Sequence, residues 1–337
     1  MRTLLISDLH LGGRLEHAVL TRPEPRRRLL AALDSVERLV LLGDTLELLE
    51  GRPHQAMQVA EPVLRELGTQ LGPDREVIVV PGNHDALLIR GWARDLGAQL
   101  HLDARVPHAV TPALARMTSW LAPARVRVRY PGVWLSDRVW ATHGHYLDRH
   151  LMPVAAWGMA RGLLHRPVPR SALPIDYELA PRPSLARFTR WLPRPLATLL
   201  DDFAELVRAE TMPTIHRRLL RPQLAPLTAM LLGLQMERAS VPALARVVHR
   251  LGVDADWVVF GHVHRLGPLD GDDPEQWRGP GGRPQIVNTG SWVYEPLLVH
   301  RASPPHPYWP GGAVLFEPGE EPRAIGLLDD LPDPTLH

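Results

Sequence analysis

Short apolar runs, each ended by glycine or a polar residue, recur through the first half of the chain. These runs are Arg2–Ser7, Arg38–Leu42, Glu76–Val80 and Val139–Thr142. Short runs without alternation are typical of strands that are buried on both faces of a sheet. Between the first three runs lie two stretches with helical periodicity, Arg26–Ser35 and Gln55–Leu71, and Pro62 is expected to interrupt the second. Strand alternating with helix predicts an α/β fold.

The pattern changes after His150, where arginine and proline become frequent. Apolar patches there centre on Trp157, Met159, Phe188 and Trp191. Strand-like runs return at Asp256–Phe260, Gln285–Asn288 and Ala313–Phe316. We therefore expect one domain formed by 1–150 and 251–320, a mainly helical insert or cap at 151–250, and a loose acidic tail at 321–337.

Composition narrows the chemistry. The chain has no cysteine, which excludes disulfides and thiolate nucleophiles, so any metal must bind to nitrogen and oxygen ligands. The net charge is +1, whereas affinity for nucleic acid needs clustered positive charge, so we expect no nucleic-acid partner. The N-terminus lacks a signal-peptide pattern and no apolar stretch is long enough to span a bilayer, which favours a cytoplasmic protein.

Five short polar motifs follow five of the predicted strands. They are SDLH at 7–10, GDTLE at 43–47, GNHD at 82–85, THGH at 142–145 and GHVH at 261–264. Each is weak alone, because an Asp after a strand usually caps a helix, a lone His is usually structural, and Gly-Asn is a turn dipeptide. However, the C-terminal ends of strands in an open α/β sheet meet at one edge. Together the motifs bring Asp, Asn and His side chains to that edge.

These motifs predict a metal site. In the DLH and HVH triplets the first and third side chains point the same way in an extended chain, so both can reach one ion. Glycines precede three of the polar residues, which lets the backbone approach a small ion. Carboxylate and imidazole ligands without sulfur suit Mn, Fe or Zn rather than Ca. The predicted metal ligands are Asp8, His10, Asp44, Asn83, His143, His262 and His264.

The ordered set of motifs resembles the calcineurin-like metallophosphoesterases over about 1–150 and 255–300. The resemblance implies a four-layer α/β/β/α sandwich and two divalent ions, with Mn²⁺ the first expectation and Fe or Zn the alternatives. The first ion would take Asp8, His10, Asp44 and His264. The second would take Asp44, Asn83, His143 and His262, so Asp44 would bridge. The implied reaction is hydrolysis of a phosphomonoester or phosphodiester by in-line attack of a hydroxide that bridges the ions.

Residues beside the ligands receive roles from the same resemblance. His84 is expected to stabilise the transition state or to protonate the leaving oxygen. Asp85 would orient the His84 imidazole, or it could instead cap the following helix. Glu47 stands where many relatives carry Asp, and we expect it to support a ligand or cap a helix. His145 could contact substrate, with a structural role equally open. Arg90, Arg149 and His150 could contact phosphate by their positions, although a surface role is favoured for each.

The insert leaves the substrate open. It could be a solvated, arginine-rich lobe, or it could be a cap in which Trp157, Phe188 and Trp191 hold an acyl chain or lie on a membrane. A helical insert after the fourth motif is similar to that of bacterial UDP-diacylglucosamine hydrolases, although those enzymes usually carry Arg where this chain has His84. The alternative substrate is therefore a nucleotide- or lipid-linked diphosphate at the inner face of the membrane.

Two other classes of function are less favoured. Related nucleases carry the same motifs, but no basic groove with interleaved aromatic residues is evident in this chain. A non-enzymatic scaffold on the same fold would be expected to have lost ligands, and all seven are present here.

Overall fold

The structure, a computed structural model, describes residues 1–13, 17–49, 52–150, 168–178, 240–299 and 302–336. The strands are β1 Thr3–Ile6, β2 Arg38–Leu42, β3 Glu76–Val80, β4 Asp103–Arg105, β5 Arg125–Ser136, β6 Val139–Thr142, β7 Trp257–Phe260, β8 Leu266–Gly267, β9 Gln285–Thr289, β10 Gly312–Phe316 and β11 Arg323–Gly326. The α-helices are α1 Pro23–Leu33, α2 Pro53–Leu71, α3 Arg90–Leu96, α4 Pro112–Trp120, α5 Pro174–Glu178, α6 at 240–250, α7 Pro296–Val299 and α8 Asp333–Leu336. Short 3-10 helices lie at Val19–Thr21, Ala86–Leu88, Gly97–Gln99, His108–Val110, His145–Arg149, Pro274–Trp277 and Pro280–Gly282.

The strands follow the order β11-β10-β1-β2-β3-β5-β6-β7-β9-β8, and β4 pairs with β5. Two parallel sets, β1-β2-β3 and β6-β7-β9, are joined by the long strand β5. The first part of β5 pairs in parallel with β3, and its second part pairs antiparallel with β6. β5 did not stand out in the sequence because arginines alternate with valines in its first part and Pro131 lies in its middle.

Neighbouring strand residues pack into different apolar clusters. In β1, Leu4 packs in a cluster with helices α1, α2 and α4, whereas Leu5 packs in a second cluster that includes Val259 of β7. The neighbour of Val259, Val258, packs in a third cluster with α6. Each such fully buried side chain stabilises the fold by roughly 1.5–3 kcal/mol, so the clusters fix both the pairing and the register of the strands. The mixed α/β class predicted from the sequence is confirmed.

Two expectations about the chain need correction. Helix α2 runs through Pro62 without a break, because Pro62 lies on the exposed side where water can bind the carbonyl that loses its N–H partner. The tail at 321–337 is not loose: β11 pairs with β10, and Leu328 and Leu331 are buried. Helices α5 and α6 lie within the predicted insert, and their residues Tyr177 and Leu244 pack in the same cluster as residues of β6 and β7.

The predicted division at 150 and 251 stays a prediction, but a cut at those positions would remove part of this packed core. The four apolar residues singled out for the insert, Trp157, Met159, Phe188 and Trp191, lie outside the described residues. Within the described ranges, the structure has no helix that combines the length and the apolar character needed to cross a bilayer.

Candidate metal centre

The five polar motifs follow β1, β2, β3, β6 and β7, and the fold brings their side chains together. In the described part of the chain, possible metal-ligating atoms form three groups. Within each group, the ligand atoms all lie within 4.8 Å of one another. These groups are Asp8 with His10 and His264; His10 with Asp44 and His84; and Asp44 with His143 and His262. His10 and Asp44 each belong to two groups, so the three form one continuous cluster.

The backbone of this cluster is unusual. Among the described residues, the non-glycine residues with positive φ are Asp8 (55°), His10 (43°), Asp44 (50°), His262 (69°) and His264 (59°). All five were predicted as metal ligands. A side chain in the left-handed region costs of order 1–3 kcal/mol and persists only where the surrounding structure imposes it. The fold therefore holds these residues in strained positions that aim their side chains toward one another.

The imidazole of His143 shows how a ring is prepared for an ion. Its Nδ1–H donates to the carbonyl of Leu42 over 3.0 Å, which leaves the lone pair of Nε2 for another partner. That Nε2 atom lies 3.1 Å from Oδ2 of Asp44 and 3.1 Å from Oδ1 of Asn83. In the metal-free chain a proton on Nε2 separates these groups, and without that proton three electron-pair donors face one another. Such an arrangement calls for a cation.

A second point of convergence lies at Asp8. The hydroxyl of Ser7 and the backbone N–H of His262 (2.9 Å) both donate to Oδ2 of Asp8. The other oxygen, Oδ1, is buried without a hydrogen-bond partner, as is Nε2 of His10, and the two atoms lie 3.9 Å apart. Nε2 of His264 lies 3.2 Å from the same Oδ1. Buried acceptors left unpaired are costly, and a divalent ion between Oδ1 of Asp8 and Nε2 of His10 would satisfy both and could also bind Nε2 of His264.

Electrostatics agree with this geometry. Burial raises the pKa of Asp44, but the imidazoles of His143 and His84 outweigh it and hold the pKa of that carboxyl well below its usual range. For Asp8, burial likewise raises the pKa, and His264 with other neighbours brings it well below the ordinary value. Burial lowers the pKa of His143, but the adjacent Asp44 raises it to about 9. Both buried carboxylates therefore stay ionised and attract positive charge to the cluster.

Glycines give the ligands room. A Cβ at Gly43 would lie 2.2 Å from Nδ1 of His143, and one at Gly82 would lie 2.3 Å from Oδ1 of Asp44. A Cβ at Gly261 would lie 2.3 Å from the hydroxyl of Ser7. Real Cβ contacts are essentially never this short. These three motifs therefore need glycine for close approach.

Gly82→Ala is expected to displace Asp44 and His143, weaken binding of divalent ions and lower the free energy of unfolding by about 1–3 kcal/mol. The measurements are calorimetric titration with Mn²⁺ and denaturant unfolding. Gly91→Ala is the matched control, because Gly91 lies inside α3 with nothing within 4 Å of its added Cβ. Equal ion affinity in the two variants would contradict the close-packing role of Gly82.

The carboxylate that orients His84 is not the one predicted. Asp85 follows His84 in the chain, but its carboxylate accepts from the backbone N–H of Thr45 (2.9 Å) and of Gly82 (2.5 Å). It makes no side-chain cap on the 3-10 helix that follows. Nδ1 of His84 instead lies 2.7 Å from Oε2 of Glu47. Asp85 thus joins two of the motif loops, and its prediction as the orienting group for His84 is wrong.

Glu47 holds two imidazoles with one oxygen. Its Oε2 atom also lies 2.9 Å from Nδ1 of His10, while Oε1 accepts from the backbone N–H of Leu49 at 3.0 Å. Burial raises the pKa of Glu47, but hydrogen bonds from His10 and His84 bring it down to about 2. The ionised carboxylate therefore fixes the ring of a predicted ligand and that of the predicted acid together.

Of the predicted substrate contacts, His145 lies nearest to the cluster, with its ring centroid 5.6 Å from that of His143. Burial and the adjacent His143 lower the pKa of His145 to about 3, so the ring is neutral. Its Nε2 lies 3.4 Å from the hydroxyl of Tyr130. The hydroxyls of Tyr130 and Tyr146 (2.6 Å) both donate to Glu178 of α5. This buried polar group was not foreseen, because its members are far apart in the sequence.

Arg90 is the first residue of α3, and Arg149 is the last residue of the 3-10 helix His145–Arg149. Both are half-buried, and burial lowers the pKa of Arg149. Their contact with a substrate stays a prediction. His150 accepts or donates a hydrogen bond with the hydroxyl of Tyr177 at 3.0 Å, which gives that residue a structural partner.

Comparison with known proteins adds a family to this geometry. No curated protein sequence matches the chain. Among solved structures, the cold-active protein tyrosine phosphatase of the psychrophile Shewanella sp. matches with 13% identity and a TM-score of 0.33, covering 94% of this chain and 75% of that one. A point mutant of a cold-active protein tyrosine phosphatase matches with 12% identity, a TM-score of 0.33 and the same coverage. TM-scores this low do not establish a shared fold or function.

The sequence model of the calcineurin-like phosphoesterase family matches residues 1–172, which is more than half of the chain. Four of the five polar motifs lie within this range, and the structure places the fifth motif, at 261–264, beside them. The chain therefore belongs to the calcineurin-like phosphoesterases, a group of metal-dependent phosphoric ester hydrolases.

Proposed function

We propose that this enzyme uses two divalent ions, bound by the seven predicted ligands, to hydrolyse a phosphomonoester or a phosphodiester. The observation that carries the proposal is the position of Asp44, whose carboxylate is shared between a group containing His10 and a group containing His143 and His262. A shared carboxylate between two clusters of ligands is the arrangement that a binuclear centre requires. Mn²⁺ is the ion we propose first, with Fe or Zn as alternatives.

Each ion would have its own ligand set. Asp8, His10, Asp44 and His264 would bind the first ion, and Asp44, Asn83, His143 and His262 would bind the second. Two parallel strand sets with helices packed on the outer clusters support a four-layer α/β/β/α arrangement, in which these ligands lie at the strand ends. The described groups supply nitrogen and oxygen only, in agreement with a chain that has no cysteine.

When bound, two divalent ions lower the pKa of water and offset the negative charge of a phosphoryl group. The chain's own residues do the rest. His84 lies beside His10 and Asp44 in the cluster. We propose that it donates a proton to the leaving oxygen. Glu47 keeps that imidazole in place and favours its protonated form, because burial lowers the pKa of His84 but Glu47 and Asp44 raise it overall.

The test is a measurement of ion content and of hydrolysis on the full-length chain. After reconstitution with Mn²⁺ we expect two ions per chain and turnover of para-nitrophenyl phosphate, bis(para-nitrophenyl) phosphate or both. Treatment with a chelator should abolish turnover, and added Mn²⁺ should restore it. Fewer than two bound ions would contradict the binuclear proposal. Turnover that survives complete removal of the ions would contradict the ligand assignment as a whole.

A diphosphate linked to a nucleotide or a lipid is the alternative substrate. It is favoured only by the position of the insert after the fourth motif, since the apolar residues singled out there lie outside the described structure. Hydrolysis of a nucleotide-linked diphosphate faster than of either chromogen, together with binding to anionic vesicles at low salt, would support this alternative. Cleavage of single-stranded DNA at a comparable rate would favour the nuclease reading instead.

A further inference from the structure

Four imidazoles belong to the proposed ligand set, and two of them commit one ring nitrogen to an acceptor on the protein side. His143 donates from Nδ1 to the carbonyl of Leu42, and Nδ1 of His10 lies against the carboxylate of Glu47. An imidazole anchored through one N–H presents the lone pair of its other nitrogen to an ion, and the anchor fixes both the tautomer and the direction of the ring.

His262 has a comparable anchor that the sequence did not indicate. Its Nε2 atom lies 2.9 Å from Oδ1 of Asp148, in the 3-10 helix His145–Arg149. A carboxylate accepts only, so Nε2 carries the proton and donates it, and Nδ1 of His262 keeps its lone pair. The backbone N–H of His262 donates to Asp8, which holds the main chain of the same residue.

We propose that Asp148 is a positioning residue for the second ion, and that it acts by holding the His262 ring so that Nδ1 faces Asp44 and His143. The inference rests on the proposed two-ion site. Asp148 contributes through His262 rather than as a ligand, since it does not belong to any of the three ligand groups among the described residues. It also joins the loop after β6 to the loop after β7, because it lies five residues beyond His143 in the chain.

Asp148 supports its imidazole from a more exposed position than Glu47 does. The side chain of Asp148 is 55% exposed, whereas that of Glu47 is 3% exposed. Loss of a carboxylate that orients a metal-binding histidine typically weakens ion binding about 10- to 100-fold. The proposal places this loss on one ion only, because Asp148 is hydrogen-bonded to His262, a proposed ligand of the second ion.

The experiment titrates the full-length, metal-free chain with Mn²⁺ by calorimetry and compares Asp148→Ala with Asp148→Asn. We expect Asp148→Ala to weaken one of two binding events about 10- to 100-fold. Asp148→Asn should have a smaller effect, because the amide oxygen can still accept from Nε2 of His262. Asp137→Ala is the control, since Asp137 is an exposed aspartate of the turn between β5 and β6. The Tm of the metal-free variants is expected to equal that of the control.

Three results would overturn the inference. The first is an Asp148→Ala titration equal to that of the control. The second is complete loss of one binding event in both Asp148 variants, which would make Asp148 a ligand itself. The third is a fall in the metal-free Tm, which would make its role structural. If the wild-type chain binds fewer than two ions, the proposed function fails first, and the inference fails with it.

Discussion

Asp44→Asn is expected to reduce the rate of phosphoester hydrolysis about 100- to 5000-fold and to weaken the binding of both ions. The substitution preserves the size of the side chain and removes its charge. Removing one partner of a buried ion pair costs about 3–5 kcal/mol, and each 1.36 kcal/mol corresponds to a factor of ten in rate. Asp44 is 1% exposed, so solvent cannot replace the lost charge.

The contacts of Asp44 show why one change should affect both ions. Oδ2 lies 3.1 Å from Nε2 of His143 and 3.8 Å from Nε2 of His10, which belong to different ligand sets. Oδ1 accepts from the backbone N–H of His84 at 2.8 Å, and an amide oxygen could keep that bond. The variant therefore tests the charge of Asp44 rather than the shape of its loop.

Rates on a chromogenic ester and calorimetric titration with Mn²⁺ measure the two effects. Asp137→Asn is the control, because it removes the same charge from an exposed turn. Undiminished hydrolysis in Asp44→Asn would sink the assignment of Asp44 as the bridging ligand. Loss of one ion with retention of the other would confine Asp44 to a single ion.

His84→Asn is expected to lower kcat about 100- to 10,000-fold while both ions still bind, which is the range for removal of a general acid or base. The contrast with Asp44→Asn separates a catalytic group from a ligand. This distinction matters here because His84 forms a possible ligand group with His10 and Asp44. A large fall in ion content in His84→Asn would show that His84 is a ligand and would contradict its role as the acid.

The leaving group gives a sharper test of the same role. If His84 protonates the leaving oxygen, the loss in kcat should be larger for an alkyl phosphate ester than for a para-nitrophenyl ester, whose leaving group needs no proton. Equal losses on the two esters would instead assign His84 to charge stabilisation. Glu47→Gln is a useful second variant, because Glu47 contacts both His84 and His10 and should therefore alter kcat and ion affinity together.

Much of the fold could be predicted because buried strands have a local signal. β1, β2, β3, β6, β7, β9 and β10 all lie within about one residue of the apolar runs that indicated them. β5 and β11 lacked that signal. β5 alternates arginine with valine, and β11 has only partly buried or exposed residues, so its pairing with β10 depends on a neighbour that the sequence does not identify.

The candidate site likewise has parts that could be predicted from the sequence and parts that could not. The predicted ligands meet because each follows a strand, and the positions of strand ends are a property of the sheet. The supporting contacts could not be predicted, because they join loops that are distant in sequence. Adjacency in the sequence predicts Asp85 as the partner of His84, but Glu47 from another loop takes that place. Asp148 reaches His262 from 114 residues away.

The left-handed backbone of the ligands bears on which ion the enzyme carries inside a cell. Backbone hydrogen bonds that need no ion fix these loops, such as those from the N–H of Asp8 to Gly43 (3.1 Å) and from the N–H of His10 to Asp44 (2.9 Å). We therefore expect the loops to keep their shape when an ion leaves, and ions to exchange without unfolding of the chain. Nitrogen and oxygen sites bind Zn²⁺ more tightly than Mn²⁺ in the usual order of stability. The ion bound at each site would then depend on the supply of ions in the cell. The metal found in isolated protein would depend on the ions available during growth and purification.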